Sequence, residues 1–155
     1  MSNDICGYIE PILTEDKIIK LSEFIEHSQL GITKIAINEL YNYPTNLIPN
    51  DNVFAFLIGD VPGYPNATYL IDYSEYAPDT DIGFPADPKQ RLDILVNTLI
   101  DMIKITNASK MVVSMTECNQ IETIKRINFS QMREIIHADF EAYQAPPDTL
   151  YEIIC

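Results

Sequence analysis

The chain has 155 residues, 46% hydrophobic and 21% charged, which fits one globular domain over 1–155 and argues against global disorder. Its formal net charge is −13. A surface this acidic repels the phosphates of nucleic acid and of anionic membranes and attracts basic partners. No apolar run approaches the roughly 20 residues that span a bilayer, and residues 1–10 have neither the basic start nor the apolar stretch of a secretory signal. Cys6, Cys118 and Cys155 are odd in number and widely spaced, so they form neither a disulfide framework nor a CxxC pair. The expectation is a cytoplasmic protein with reduced thiols, no cofactor and no metal, monomeric before it meets a partner.

In chain order, the first helix starts after Thr14, whose hydroxyl suits the N-cap, with Glu15 and Asp16 at the positive end of the helix dipole. Gly31 marks its stop, and Ile18, Leu21 and Ile25 form its apolar stripe. Residues 32–41 fit strand and helix equally. Residues 53–59 and 67–73 both read as strands, and the turn residues of 60–66 predict an antiparallel hairpin between them. Asp87 followed by Pro88 is a helix start: the carboxylate accepts an orphan N–H and proline has none to lose. That helix runs to about Asn107 and is apolar on more than one side, as a central helix must be. Residues 110–116 form a strand. Residues 121–127 are its hairpin partner or a short helix. Asn128 caps a last helix with Phe129, Met132, Ile136, Phe140 and Tyr143 inward, Pro146 and Pro147 end it, and 149–154 closes the chain as a strand. The sum is an α+β fold: an antiparallel or mixed β-sheet with about three α-helices on one side.

The charge is unevenly placed. Between Ile35 and Pro88 there is no lysine or arginine, but there are eight acids: Glu39, Asp51, Asp60, Asp72, Glu75, Asp79, Asp81 and Asp87. From Glu134 to Cys155 there are five more acids and again no base. These segments contribute −8 and −5, so the rest of the chain is neutral. The longer one also holds six of the nine tyrosines and six of the ten prolines. Tyrosine offers broad contact area at small entropic cost, and proline stiffens the loops that carry it. A basic protein partner is therefore expected at Tyr43, Asp60, Tyr64, Glu75, Tyr76, Asp79, Asp81 and Asp87.

Catalytic motifs are missing. The five glycines fall in neither GxGxxG nor GxxxxGK[ST] spacing, and GxSxG and HExxH do not occur. Asp79–Gly83 begins like a calcium loop, but its fifth and twelfth positions are Gly83 and Gln90, where that loop needs an oxygen ligand and a glutamate. His27 and His137 read as surface or helix-end residues, and His137, beside Asp139 and Glu141, could form a pH-sensitive salt bridge with them. An enzyme is not expected. In size and in the acidity of residues 35–88 and 134–155, the chain resembles the immunity proteins of bacterial toxin systems such as contact-dependent inhibition. The resemblance implies tight binding to a cognate toxin domain, often a basic nuclease, by covering its active site. A small acidic secretion chaperone, which would dimerise, and a small carboxylate- or metal-dependent enzyme are the alternatives.

Overall fold

The computed structural model describes residues 5–74 and 83–155. Six strands, β1 (Ile5–Glu10), β2 (Ile32–Ile35), β3 (Phe54–Ile58), β4 (Lys110–Met115), β5 (Thr123–Asn128) and β6 (Thr149–Ile154), form one sheet in the order β2-β3-β1-β4-β6-β5. All neighbours are antiparallel except β5 and β6, which are parallel. The helices are α1 (Glu15–His27), α2 (Pro88–Thr106) and α3 (Met132–Tyr143). This is the α+β architecture with a mixed sheet that the sequence predicts.

Strand side chains alternate between faces. On one face Ile5, Ile9, Phe56, Ile58, Val113 and Ile153 pack with Leu21 of α1, Leu95 and Leu99 of α2, and Ile136 and Phe140 of α3 in one core. Burying each such side chain contributes about 1.5–3 kcal/mol. On the other face Tyr8, Ala55, Val112 and Leu150 meet Leu40, Tyr43, Leu47 and Val53, delivered by a stretch containing only two 3-10 turns, Ile37–Glu39 and Thr45–Leu47. Gly7 in the centre of β1 has no room for a side chain. A Cβ there would strike the Val112 carbonyl and lie 2.7 Å from Cζ of Phe56.

Several elements depart from expectation. The hairpin of 53–59 with 67–73 does not form; β3 lies between β2 and β1. Residues Ala67–Leu70 are a 3-10 turn, because Asn66 Oδ1 accepts from the Thr68 amide at 3.1 Å and its hydroxyl at 2.7 Å, and Ala67, Leu70 and Ile71 are buried at helical rather than alternating spacing. Strand β1, unforeseen, is central and pairs on both edges. Residues 123–128 are a strand, but their partner is β6 rather than β4. Residues 32–41 divide into β2 and a 3-10 turn.

Helix α1 is capped by Thr14 as expected but ends at His27, with Ser28 as C-cap. Gly31 instead admits Val61, which a Cβ there would meet at 2.5 Å. Of the expected stripe only Leu21 is buried; Ile18 is 48% exposed. The last helix starts later than expected, after a 3-10 turn at Phe129–Gln131, and the Asn128 side chain makes no cap bond. Tyr143, expected inside, is exposed. Helix α2 matches its expectation, from the Asp87 cap to a left-handed Asn107. Among the described residues no helix is long and apolar enough to cross a membrane.

Candidate binding face around buried Arg91

The start of α2 organises the acidic loops. Asp87 Oδ1 accepts from the Lys89 amide at 2.9 Å and Pro88 occupies the first helical position. Side chains on a helix lean toward its N-terminus, so the side chain of Arg91, one turn in, reaches back into the loops before the helix. There it is fully buried. Its Nε donates to the Tyr69 carbonyl at 3.0 Å, Nη1 to Pro85 at 2.9 Å and Ala86 at 2.7 Å, and Nη2 to Asp72 at 2.8 Å and to Ser74. Arginine has five N–H donors in a rigid planar fork, and each meets a backbone carbonyl. The carbonyl dipoles replace the water the cation has lost. One side chain thereby ties residues 69–74 to residues 85–86.

Neighbouring contacts hold the same loops. Pro65 packs on Gly83, where φ is +78° and a Cβ would lie 2.8 Å from that of Pro65. Tyr73 is buried with its ring centroid 5.9 Å from that of Phe140 on α3. Its hydroxyl donates to Glu141 Oε2 at 2.9 Å. Burial, and then the adjacent carboxylate, push this phenol up to about 12. Lys89 stands 3.6 Å from the same carboxylate.

Of the residues expected to meet a partner, Asp87 is exposed at the end of the loops that Arg91 ties, and Asp60 and Tyr64 (39% exposed) are exposed on the separate stretch 60–66, which meets those loops where Pro65 packs on Gly83. Tyr43 is not a surface residue. It is 5% exposed on the far side of the sheet, and its hydroxyl donates to the Cys6 carbonyl at 2.6 Å. Its aromatic bulk is used to cover Tyr8 and Val112. Glu75, Tyr76, Asp79 and Asp81 lie outside the described residues, as does all of the calcium-like stretch 79–83 except Gly83. Arg91, which sequence reasoning passed over, is the residue that positions the face. The available signal was an arginine one turn into an apolar helix, directly after a long segment without any base.

The bases elsewhere are largely engaged. Lys20 pairs with Asp16, Lys110 with Glu10 and Glu152, Lys125 with Asp139, Arg126 with Glu152 and Arg133 with Asp93. Among the described residues no lysine or arginine side chain pairs with Glu39, Asp51, Asp60 or Asp87. His137 bonds Asp93 of α2 at 2.8 Å, not Asp139 or Glu141, because its ring faces across to the neighbouring helix. Asp139 is taken by the Tyr151 hydroxyl at 2.8 Å and by Lys125 at 2.7 Å. Among the described residues no group of three or more His, Cys, Asp or Glu side chains gathers as a metal site. No protein-family model, curated protein or solved structure matches the chain.

Proposed function

We propose that the protein binds a basic protein partner through the loop surface built on Arg91, carrying Asp60, Tyr64, Asp72 and Asp87. The observation that carries this reading is the partition of charge: the exposed acids Asp60 and Asp87 have no basic partner among the described residues, whereas most bases are paired on other parts of the molecule or buried. An acidic surface left uncompensated costs self-repulsion in the free protein, and a basic partner relieves it. Because residues 69–74 and 85–86 are already tied together by the guanidinium, little order is lost there on binding. Following its compositional resemblance to immunity proteins, the chain acts as a monomer in the cytoplasm and its partner is a toxin domain, a nuclease whose phosphate-holding cleft it covers.

The test is capture of the partner from the native host, followed by binding kinetics against folded variants. Replacing Asp60, Asp72 and Asp87 together by asparagine should slow association about tenfold at low salt, with a smaller effect at high salt. Tyr64→Ala should speed dissociation, by roughly 2 kcal/mol if it is a central anchor. Unchanged rates in both variants would reduce this face to a solvated surface.

A further inference from the structure

A second surface, lined by none of the residues around Arg91, has the form of a docking groove. Helix α1 packs chiefly against α2, and its Ile18 and Ile25 line a hollow shared with Ile32 and Lys34 of β2. This groove of about 430 Å3 is lined by Ile18 and Ile25 of α1, by Ile32 and Lys34, and by Phe54 of β3. Two of its apolar side chains remain largely in water: Ile12 is 57% exposed and Ile18 is 48% exposed. Isolated exposed apolar residues are ordinary, but a lined concavity of them is a binding feature.

The groove continues. A second hollow of about 300 Å3, lined by Glu10, Asp51 and Ser109, shares Ile12 and Val53 with the first. Here the charge is not balanced. Lys110 is divided between Glu152 at 3.1 Å and Glu10 at 3.7 Å, and among the described residues Asp51 has no basic partner. At the apolar end Glu26 and Lys34 offset each other. One end therefore favours hydrocarbon and the other a cation.

We propose that this groove seats an extended segment of a partner protein, with apolar side chains over Ile12, Ile18 and Phe54 and a lysine or arginine at Asp51 and Glu10. The two hollows share Ile12 and Val53, and neighbouring positions of an extended chain supply the two chemistries in sequence. This site is independent of the acidic loops at Arg91. A partner that engages both surfaces gains avidity, and one that engages only the groove leaves those loops unused.

Two short labelled peptides serve as probes, one with leucines followed by paired lysines, the other with the lysines replaced by glutamates. Binding is read by fluorescence anisotropy and by backbone amide shifts. The lysine peptide should bind, shift the amides of residues 32–34 and 52–54, and bind at least about tenfold tighter than the glutamate peptide. Ile18→Glu should weaken it about tenfold or more, and Asp51→Lys should abolish the preference for lysine. Both positions are exposed, so folding is retained. Asp60→Asn with Asp87→Asn should change nothing, which separates this test from that of the acidic loops. Equal binding of the two peptides, indifference to Ile18→Glu, or a concentration-dependent dimer that Ile18→Glu dissolves would each overturn the proposal; the dimer would mean that a second copy occupies the groove.

Discussion

Arg91→Met removes the guanidinium but keeps much of the hydrocarbon stem, so it isolates the five hydrogen bonds. A hydrogen bond from a charged donor contributes about 1.5–3 kcal/mol, and five counted separately would rival the roughly 5–15 kcal/mol that holds a whole domain. The real loss is smaller for two reasons. Ser74 and Ala86 are exposed, so their carbonyls regain water. The substitution also removes the desolvation cost of the buried cation. What remains are the half-buried carbonyls of Tyr69, Asp72 and Pro85 and the loss of a tie across the loops, together about 3–5 kcal/mol. Arg91→Lys keeps the charge but offers three donors from one point, and should recover less than half of that. Urea unfolding gives the total, and amide hydrogen exchange gives its location. Exchange should accelerate in residues 67–74 while the central strands β1 and β4 retain the highest protection. If Arg91→Met costs less than about 1 kcal/mol, or if residues 67–74 exchange no faster than in the parent protein, the guanidinium is not what fixes these loops.

Other perturbations test the rest of the frame. Gly7→Ala forces a methyl against the Val112 carbonyl and the Phe56 ring, and should cost about 2–3 kcal/mol, seen as a thermal midpoint lower by roughly 5–10 °C; an unchanged midpoint would mean that β1 can shift to make room. Asp139→Asn leaves the Tyr151 hydroxyl and Lys125 with a weaker acceptor and should cost about 2 kcal/mol in urea unfolding, against no change if the network is incidental. Burial raises the phenols of Tyr8, Tyr43 and Tyr151. A raised folded-state value means that their contribution to stability is complete below the unfolded value of about 10 and falls as pH climbs above it. Phenolate absorbance from these tyrosines should thus appear only together with alkaline unfolding, and early, independent ionisation would contradict their burial. Chelator and reductant should leave the unfolding midpoint unchanged, since the apolar core and backbone ladders account for folding; a large shift with chelator would reveal a structural metal.

The sequence makes the helices legible because their signals are local. Thr14, Asp87 and Pro88 act through atoms within one turn, and α2 starts and stops where its caps place it. The sheet is less legible because its pairing is not local. Tyr69 and Ile71 are good strand residues, but they sit in and beside a 3-10 turn because Asn66 caps the amide two residues on and Arg91, 22 positions away, takes the Tyr69 carbonyl. Strand β1 gives a weak signal, since Gly7 interrupts its pattern, and only its two partners explain why glycine is required there. The same limit applies to the face. Charge marks Asp60 and Asp87 as surface residues, but no pattern distinguishes Tyr64, which is exposed, from Tyr43, which lies under the loop it belongs to.

The base-free segment performs two structural tasks that leave Glu39, Asp51, Asp60 and Asp87 exposed. Residues 40–53 close the second face of the sheet with Leu40, Tyr43, Leu47 and Val53, using apolar groups and one tyrosine hydroxyl rather than charge. Residues 67–74 and 83–87 form the second task, and the cation that holds them comes from α2 and bonds their carbonyls. A lysine or arginine within the segment would pair with its carboxylates and cancel the field that they project. A buried arginine whose donors meet backbone carbonyls ties the described parts of the loops together. Under the proposed function, stiff loops would serve binding by reducing the order lost, and exposed acids such as Asp60 and Asp87 by speeding encounter. Substitutions at Arg91 should therefore act on the loops' order, and substitutions at Asp60 or Asp87 on association rate and its salt dependence. That separation is what distinguishes a built recognition face from an acidic surface kept only for solubility.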